Sequence, residues 1–262
     1  MAVFLVIAYV NTFVIWQTIS HVTASGFRDA IPFLVIGLLA AMIGAFAVIR
    51  SRQTRDAIDW KFILAALAVA LIGLASTDPA FPAKRIHVPQ YMILMFVLSF
   101  SVPKRLRTHR TLLFAFLATA LYGVHDEFIQ GLHQSRTFGV RDMFINLCGA
   151  GAGALAVRAF TPAVAVPAGD VGAGGGISSV GFAIALVVIG VMLFAYAATG
   201  FRHDLLAYWT VLPALAGAVA LALALERLPL AGDRTALRPV VAICLLFAVY
   251  PIAINVAVLE FA

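Results

Sequence analysis

The sequence predicts an all-α membrane protein, a bundle of about nine spanning helices, and three observations carry that prediction. Of its 262 residues, 63% are hydrophobic and 11% charged, with a mean hydropathy of +1.03, against about 45–50% and about 25% in an ordinary soluble domain. So little polar surface cannot cover a soluble fold, and disorder needs the opposite balance. The apolar runs are long and continuous, as in Ala30 to Ile49 and Val180 to Ala198. A spanning helix needs about 20 such residues, whereas a barrel strand needs about 10 of alternating polarity. Finally, the charges gather in the short connections between runs. Nine spans would use roughly 180 residues, which leaves no room for a soluble domain.

The first run, Met1 to about Ile19, has no Lys or Arg before it. A secretory signal requires a basic leading segment, so the run reads as a retained first span, with cleavage near Ala24–Ser25–Gly26 as the alternative. Spans two to six follow at about 30–49, 62–76, 88–102, 111–129 and 142–160. Residues 161–179, rich in Pro and Gly, read as a flexible tether. Spans seven to nine lie at about 180–199, 207–225 and 239–259. The expected organisation is thus two N-terminal helices (1–60), a four-helix core (61–160), the linker (161–179) and three C-terminal helices (180–262). The linker glycines neither follow a strand nor end in Gly-Lys-Ser/Thr, so no phosphate-cradling loop is expected.

Counting cations by side gives the orientation. Connections after even-numbered spans hold Arg50, Arg52, Arg55, Lys61, Lys104, Arg105, Arg107, Arg110, Arg158, Arg227, Arg234 and Arg238. Those after odd-numbered spans hold Arg28, Lys84, Arg85, Arg136, Arg141 and Arg202. The positive-inside rule then puts the richer side and the N-terminus in the cytoplasm and the C-terminus outside. The net charge of +6 is a topology and headgroup signal. No basic stripe or nucleic-acid motif accompanies it, so membrane lipids are the expected partners and nucleic acid is not. Cys148 and Cys244 lie inside apolar runs and imply no disulfide framework.

Two connections stand out because polar residues persist at the ends of their spans. One is Asp78 to Tyr91; the other runs from Tyr122 through Asp126, Glu127, Gln130 and Arg136 to Asp142 and Asn146. Both follow odd-numbered spans, so the charge count places them on one outer face, where they can converge. Residues three or four apart share a helix face, which aligns Asp126 with Tyr122 and Gln130 and turns Glu127 about 100° away. Ionisable groups at a bilayer edge are costly unless paired or wet, and they are functional-site candidates. Lys84, Arg85, Arg136 and Arg141 facing Asp126, Glu127 and Asp142 would make a nearly neutral nest. The structural alternative stands beside this reading. Asp142 as a helix cap, Arg136 as a bridge, and Gly149 and Gly153 as close-packing positions would explain the same residues without any ligand.

These residues resemble the VanZ-like membrane protein family, named for a teicoplanin-resistance protein. Its pattern is Asp-Lys-x-x-His-x-x-x-Tyr, then Asp-Glu-x-x-Gln, an Arg six residues on, and after six more Asp-x-x-x-Asn-x-x-Gly-x-x-x-Gly. Lys84, His87 and Tyr91 fit the first element, and Asp126, Glu127 and Gln130 the second. Arg136, Asp142, Asn146, Gly149 and Gly153 follow at matching distances. Ala83 replaces the family's Asp, and Ile129 stands where a His often precedes the Gln, which weakens a metal or proton-relay role. The resemblance covers about residues 60–160. It implies a cell-envelope protein, of a kind in which some members lower lipoglycopeptide susceptibility; it implies no established reaction.

The expected function is an envelope factor whose outward site binds a lipid headgroup or an anionic envelope precursor. Lys84 and Arg136 would hold phosphate or carboxylate, oriented by Asp126, Glu127 and Asp142, with His87, Tyr91, Gln130 and Asn146 completing the site. Two alternatives remain: an intramembrane enzyme on a lipid-linked substrate, with Glu127 or His87 as base and Arg136 stabilising negative charge, and an accessory subunit of a larger membrane complex. No catalytic residue is assigned. No cofactor and no metal are expected, because His87, His125 and His133 with Asp126 and Glu127 lack the usual ligand spacing.

Overall fold

The computed structural model describes residues 25–53, 58–101, 109–132, 139–160, 176–201, 204–226 and 234–257. Among them the chain is all-helical, without a strand. The helices are α1 (Ser25–Gln53), α2 (Trp60–Ala75), α3 (His87–Ser101), α4 (His109–Gly131), α5 (Val140–Phe160), α6 (Gly176–Gly200), α7 (Leu212–Glu226) and α8 (Arg234–Ala257). Short 3₁₀ turns at Pro82–Ile86 and Tyr208–Val211 lead into α3 and α7. Eight of the nine apolar stretches therefore form helices. The first stretch lies outside the described residues, as does the linker up to residue 175, and α6 already begins at Gly176.

Among the described residues, two segments are long and apolar enough to cross a bilayer on their own, Leu112–Gly131 in α4 and Val140–Phe160 in α5. Helices α2 and α3, of 16 and 15 residues, fall short of the about 20 that an upright span requires. Their outer faces are nevertheless oily. Leu38, Met42, Leu64, Leu71, Met192 and Val256 are all exposed, on a scale that a monomer in water rarely tolerates. The chain is a membrane protein by this surface as well as by its composition.

Helix α5 is the hub. It packs on α2, α3 and α4, while α6 and α7 pair tightly and α8 joins them to α4. Small residues make the α5 contacts close, since packing in lipid favours faces without bulk. A Cβ on Gly149 would lie 2.6 Å from the Val88 carbonyl oxygen, and one on Gly153 would lie 2.8 Å from the Met95 Cβ. These two glycines let the backbone of α3 touch α5.

The core has two parts. Ile36, Ala70, Leu74, Val88, Met92, Ile145 and Ala152 join α1, α2, α3 and α5. The larger part lies between α4 and the C-terminal helices. At its centre Phe128 stacks on Phe194 with ring centroids 4.5 Å apart, and Phe247 and Tyr250 close around them at 6.1 and 5.0 Å from Phe128. Helix α4 is thus enclosed on two sides, by α3 and α5 on one and by α8 and α6 on the other.

The close approach predicts a positional contrast within one helix. Gly149→Ala should lower thermal stability in detergent by about 1–3 kcal/mol, the usual cost of overpacking. Gly151→Ala, whose added methyl meets its nearest neighbour at an ordinary 3.6 Å, should change it by less than about 0.5 kcal/mol. Thermal unfolding followed by tryptophan fluorescence separates the two, and equal effects would refute a backbone-contact role for Gly149.

Candidate functional site

The polar residues of the two distant connections meet where the start of α3, the end of α4 and the start of α5 come together. The 3₁₀ turn at Pro82–Ile86 carries Lys84 over the N-terminus of α5, where its Nζ forms a salt bridge with Asp142 Oδ2. The Lys84 side chain is 23% exposed and that of Asp142 5%. Asp142 lies in the first turn of α5, so it also sits at the positive end of the helix dipole. Its carboxylate bonds Lys84, and no backbone amide among the described residues.

On α4, Asp126, Glu127 and Gln130 are all buried. The Gln130 side-chain amide donates to Asp126 Oδ2 at 2.7 Å and to Glu127 Oε1 at 3.1 Å. Glu127 is therefore not turned out of the site as its helical angle suggested. An amide four residues from one carboxylate and three from the other bridges both. The charges of Asp126, Asp142 and Lys84 act on Glu127, and the Gly139 backbone amide lies against it. Its second oxygen, Oε2, is buried without a hydrogen-bond partner among the described residues.

Tyr91 and Asn146 form the floor. Tyr91 is fully buried, and its hydroxyl donates to the Tyr122 carbonyl at 3.5 Å. Asn146 donates from Nδ2 to the Gly123 carbonyl at 3.0 Å, and its Oδ1 is buried without a partner among the described residues. Gly123 makes room for it, because a Cβ there would lie 2.7 Å from that of Asn146. His87 is buried one turn before Tyr91, its ring nearly parallel to the tyrosine ring at 6.4 Å.

The expected cations divide differently from the simple count. Arg141 pairs with Asp78, Nη1 to Oδ2 at 3.3 Å, and donates from Nε to the Ser76 carbonyl at 2.6 Å, tying α5 to the end of α2 on the surface. Arg85 lies over the Phe33 ring of α1. Neither is described as pairing with the three carboxylates. Asp78, which the sequence reading left out of the ionic group, is the partner that was missed. Its distance of 63 residues from Arg141 left no periodic signal. Arg136 and His133 lie outside the described residues. His125 turns the other way, to α8, where the Tyr250 hydroxyl bonds its Nδ1 and lies 3.1 Å from its carbonyl oxygen.

The protein-family model described as VanZ/LLP1 matches residues 2–161. That is more than half of the chain, and it begins well before the stretch from about residue 60 that carries the motif. No curated protein and no solved structure matches the chain significantly.

The two ion pairs should separate energetically. Lys84→Met leaves Asp142 buried without its cation and should cost about 1–3 kcal/mol, below the range for a fully buried pair because Lys84 retains some solvent contact. Arg141→Met removes an exposed pair and should cost less than about 1 kcal/mol. A double-mutant cycle with Asp142→Asn and Asp78→Asn measures both couplings. A larger coupling for Arg141 with Asp78 would contradict the assignment.

Proposed function

The chain belongs to the VanZ-like family, a membrane protein of the cell envelope, and from that footing we propose that its polar nest binds the headgroup of an envelope lipid or lipid-linked precursor. The observation that carries this reading is the salt bridge of Lys84 with Asp142, which ties the two polar connections together beside buried Asp126, Glu127 and Gln130. Lys84 is partly exposed, so its ammonium can meet a phosphate or carboxylate. Arg136, six residues beyond Gln130 in the connection from α4 to α5, supplies the bidentate grip that a point charge lacks. Glu127 Oε2 and Asn146 Oδ1, buried without a hydrogen-bond partner among the described residues, suit hydroxyl or ammonium donors on the same headgroup.

In this reading the chain crosses a bacterial inner membrane about nine times. The N-terminus is cytoplasmic, the C-terminus exoplasmic, and the nest opens outward. An effect on lipoglycopeptide susceptibility follows where the captured headgroup belongs to a cell-wall precursor. The enzyme reading gains no support from Cys148, which is buried against Gly73 of α2 rather than set beside the carboxylates.

Mass spectrometry of lipids co-purifying with the full-length protein tests the reading. Wild type should retain an anionic or zwitterionic lipid class that Arg136→Ala and Lys84→Ala lose by about tenfold, the loss of a charge-assisted contact being worth about 1.5–3 kcal/mol. The same lipids in the same amounts on all three proteins would sink the proposal. Separately, Ser135→Cys should react with a membrane-impermeant maleimide from outside intact cells, and protection there would reverse the orientation.

A further inference from the structure

One subset of the nest has a chemistry that a headgroup pocket does not require. His87 opens α3, while Asp126 and Glu127 lie near the end of α4. A ring nitrogen of His87 and one oxygen from each carboxylate all lie within 4.8 Å of one another. The three residues are 6%, 9% and 0% exposed. Imidazole nitrogen and carboxylate oxygen bind a zinc-like ion at about 2.0–2.2 Å. Two ligands of one such ion are then about 3–4 Å apart, and side-chain rotations that draw the atoms together by about 1–2 Å close the difference.

Two further observations favour a cation at this point. The Gln130 amide holds one oxygen of each carboxylate, which is the task of an outer group that fixes the aim of metal ligands. The Oε2 atom of Glu127 is meanwhile buried with no donor among the described residues, a costly state for a carboxylate oxygen unless something positive satisfies it. The charge of Lys84 reaches Glu127 without a direct bond, its ammonium being paired with Asp142 on the neighbouring helix.

We propose that His87, Asp126 and Glu127 bind one divalent transition-metal ion. Mixed nitrogen and oxygen donors suit zinc or manganese, whereas calcium and magnesium favour all-oxygen sets. Three protein ligands leave at least one coordination position for an exogenous group, as in sites that bind a ligand and unlike closed structural sites. The proposal departs from the expectation, drawn from ligand spacing, that no metal binds. It stands without the headgroup reading, because it concerns the affinity for the ion alone.

The test uses full-length protein purified in detergent through a histidine-free tag, stripped with EDTA, and dialysed against ZnCl₂ or MnCl₂. Metal is then counted by mass spectrometry. Wild type should take up one ion of one of the two metals per chain, with a rise in melting temperature. Glu127→Gln and His87→Gln should bind it about tenfold or more weakly and lose that rise, while Asp78→Asn, at the exposed pair, should match wild type. No stoichiometric uptake of either ion by wild type overturns the proposal, and so does undiminished uptake by both ligand variants. Should Glu127→Gln fail to purify as a folded protein, His87→Gln and Asp126→Asn decide by the same criterion. Metal retained by an Arg136→Ala protein that has lost its lipid would leave this inference standing while confirming the other. A wild type that retains its lipid but takes up neither ion would overturn this inference and leave the headgroup reading standing.

Discussion

The architecture around the nest depends on how closely α3 can approach α5. That distance is set by two absent side chains, because Gly149 and Gly153 admit the α3 backbone at Val88 and Met92 where any larger residue would strike it. Tyr91, on the same stretch of α3, has its Cβ 2.8 Å from where a Gly149 Cβ would be. His87 is one turn earlier, and Lys84 sits on the turn before that. The contact therefore fixes three polar residues at once. Gly123 plays the matching part on α4, letting Asn146 reach a backbone carbonyl. In lipid, where hydrophobic attraction between helices is absent, such contacts are how a bundle acquires a defined geometry.

Electrostatics then sort the charged groups by depth. The exposed pair of Arg141 with Asp78 fastens two helix ends and operates in high dielectric. The pair of Lys84 with Asp142 is mostly withdrawn from solvent, and each partner pays for the burial of the other. Deeper still, Asp126 and Glu127 share one neutral amide. One neutral donor thereby fixes the orientation of two acidic side chains at once.

Much of this was legible in the residues. Long apolar runs foretold the helices, and fixed polar spacings foretold which side chains would gather. Partner choice was not legible. Arg141 looked equivalent to Lys84 on a count of charges, yet its place on the outer side of the first turn of α5 directs it to Asp78. Glu127 looked misaligned because a helical wheel treats side chains as radial spokes, whereas Gln130 is long enough to span two positions. The wheel also assumed one polar face, while α4 is enclosed on both sides. The family match beginning at residue 2 had no counterpart in the motif, since the first sixty residues carry no comparable set of polar residues at fixed intervals.

Residues 125–128 of α4 divide their loyalties. Asp126 and Glu127 belong to the nest, while His125 and Phe128 are gripped by Tyr250, Phe194 and Phe247. Four consecutive residues thus form a rigid crank between two halves of the molecule, with no slack peptide to absorb a displacement. The stacked rings bring the C-terminal helices into contact with the residue next to the carboxylate pair. The appended helices are therefore packed directly onto the turn of α4 that carries Asp126 and Glu127.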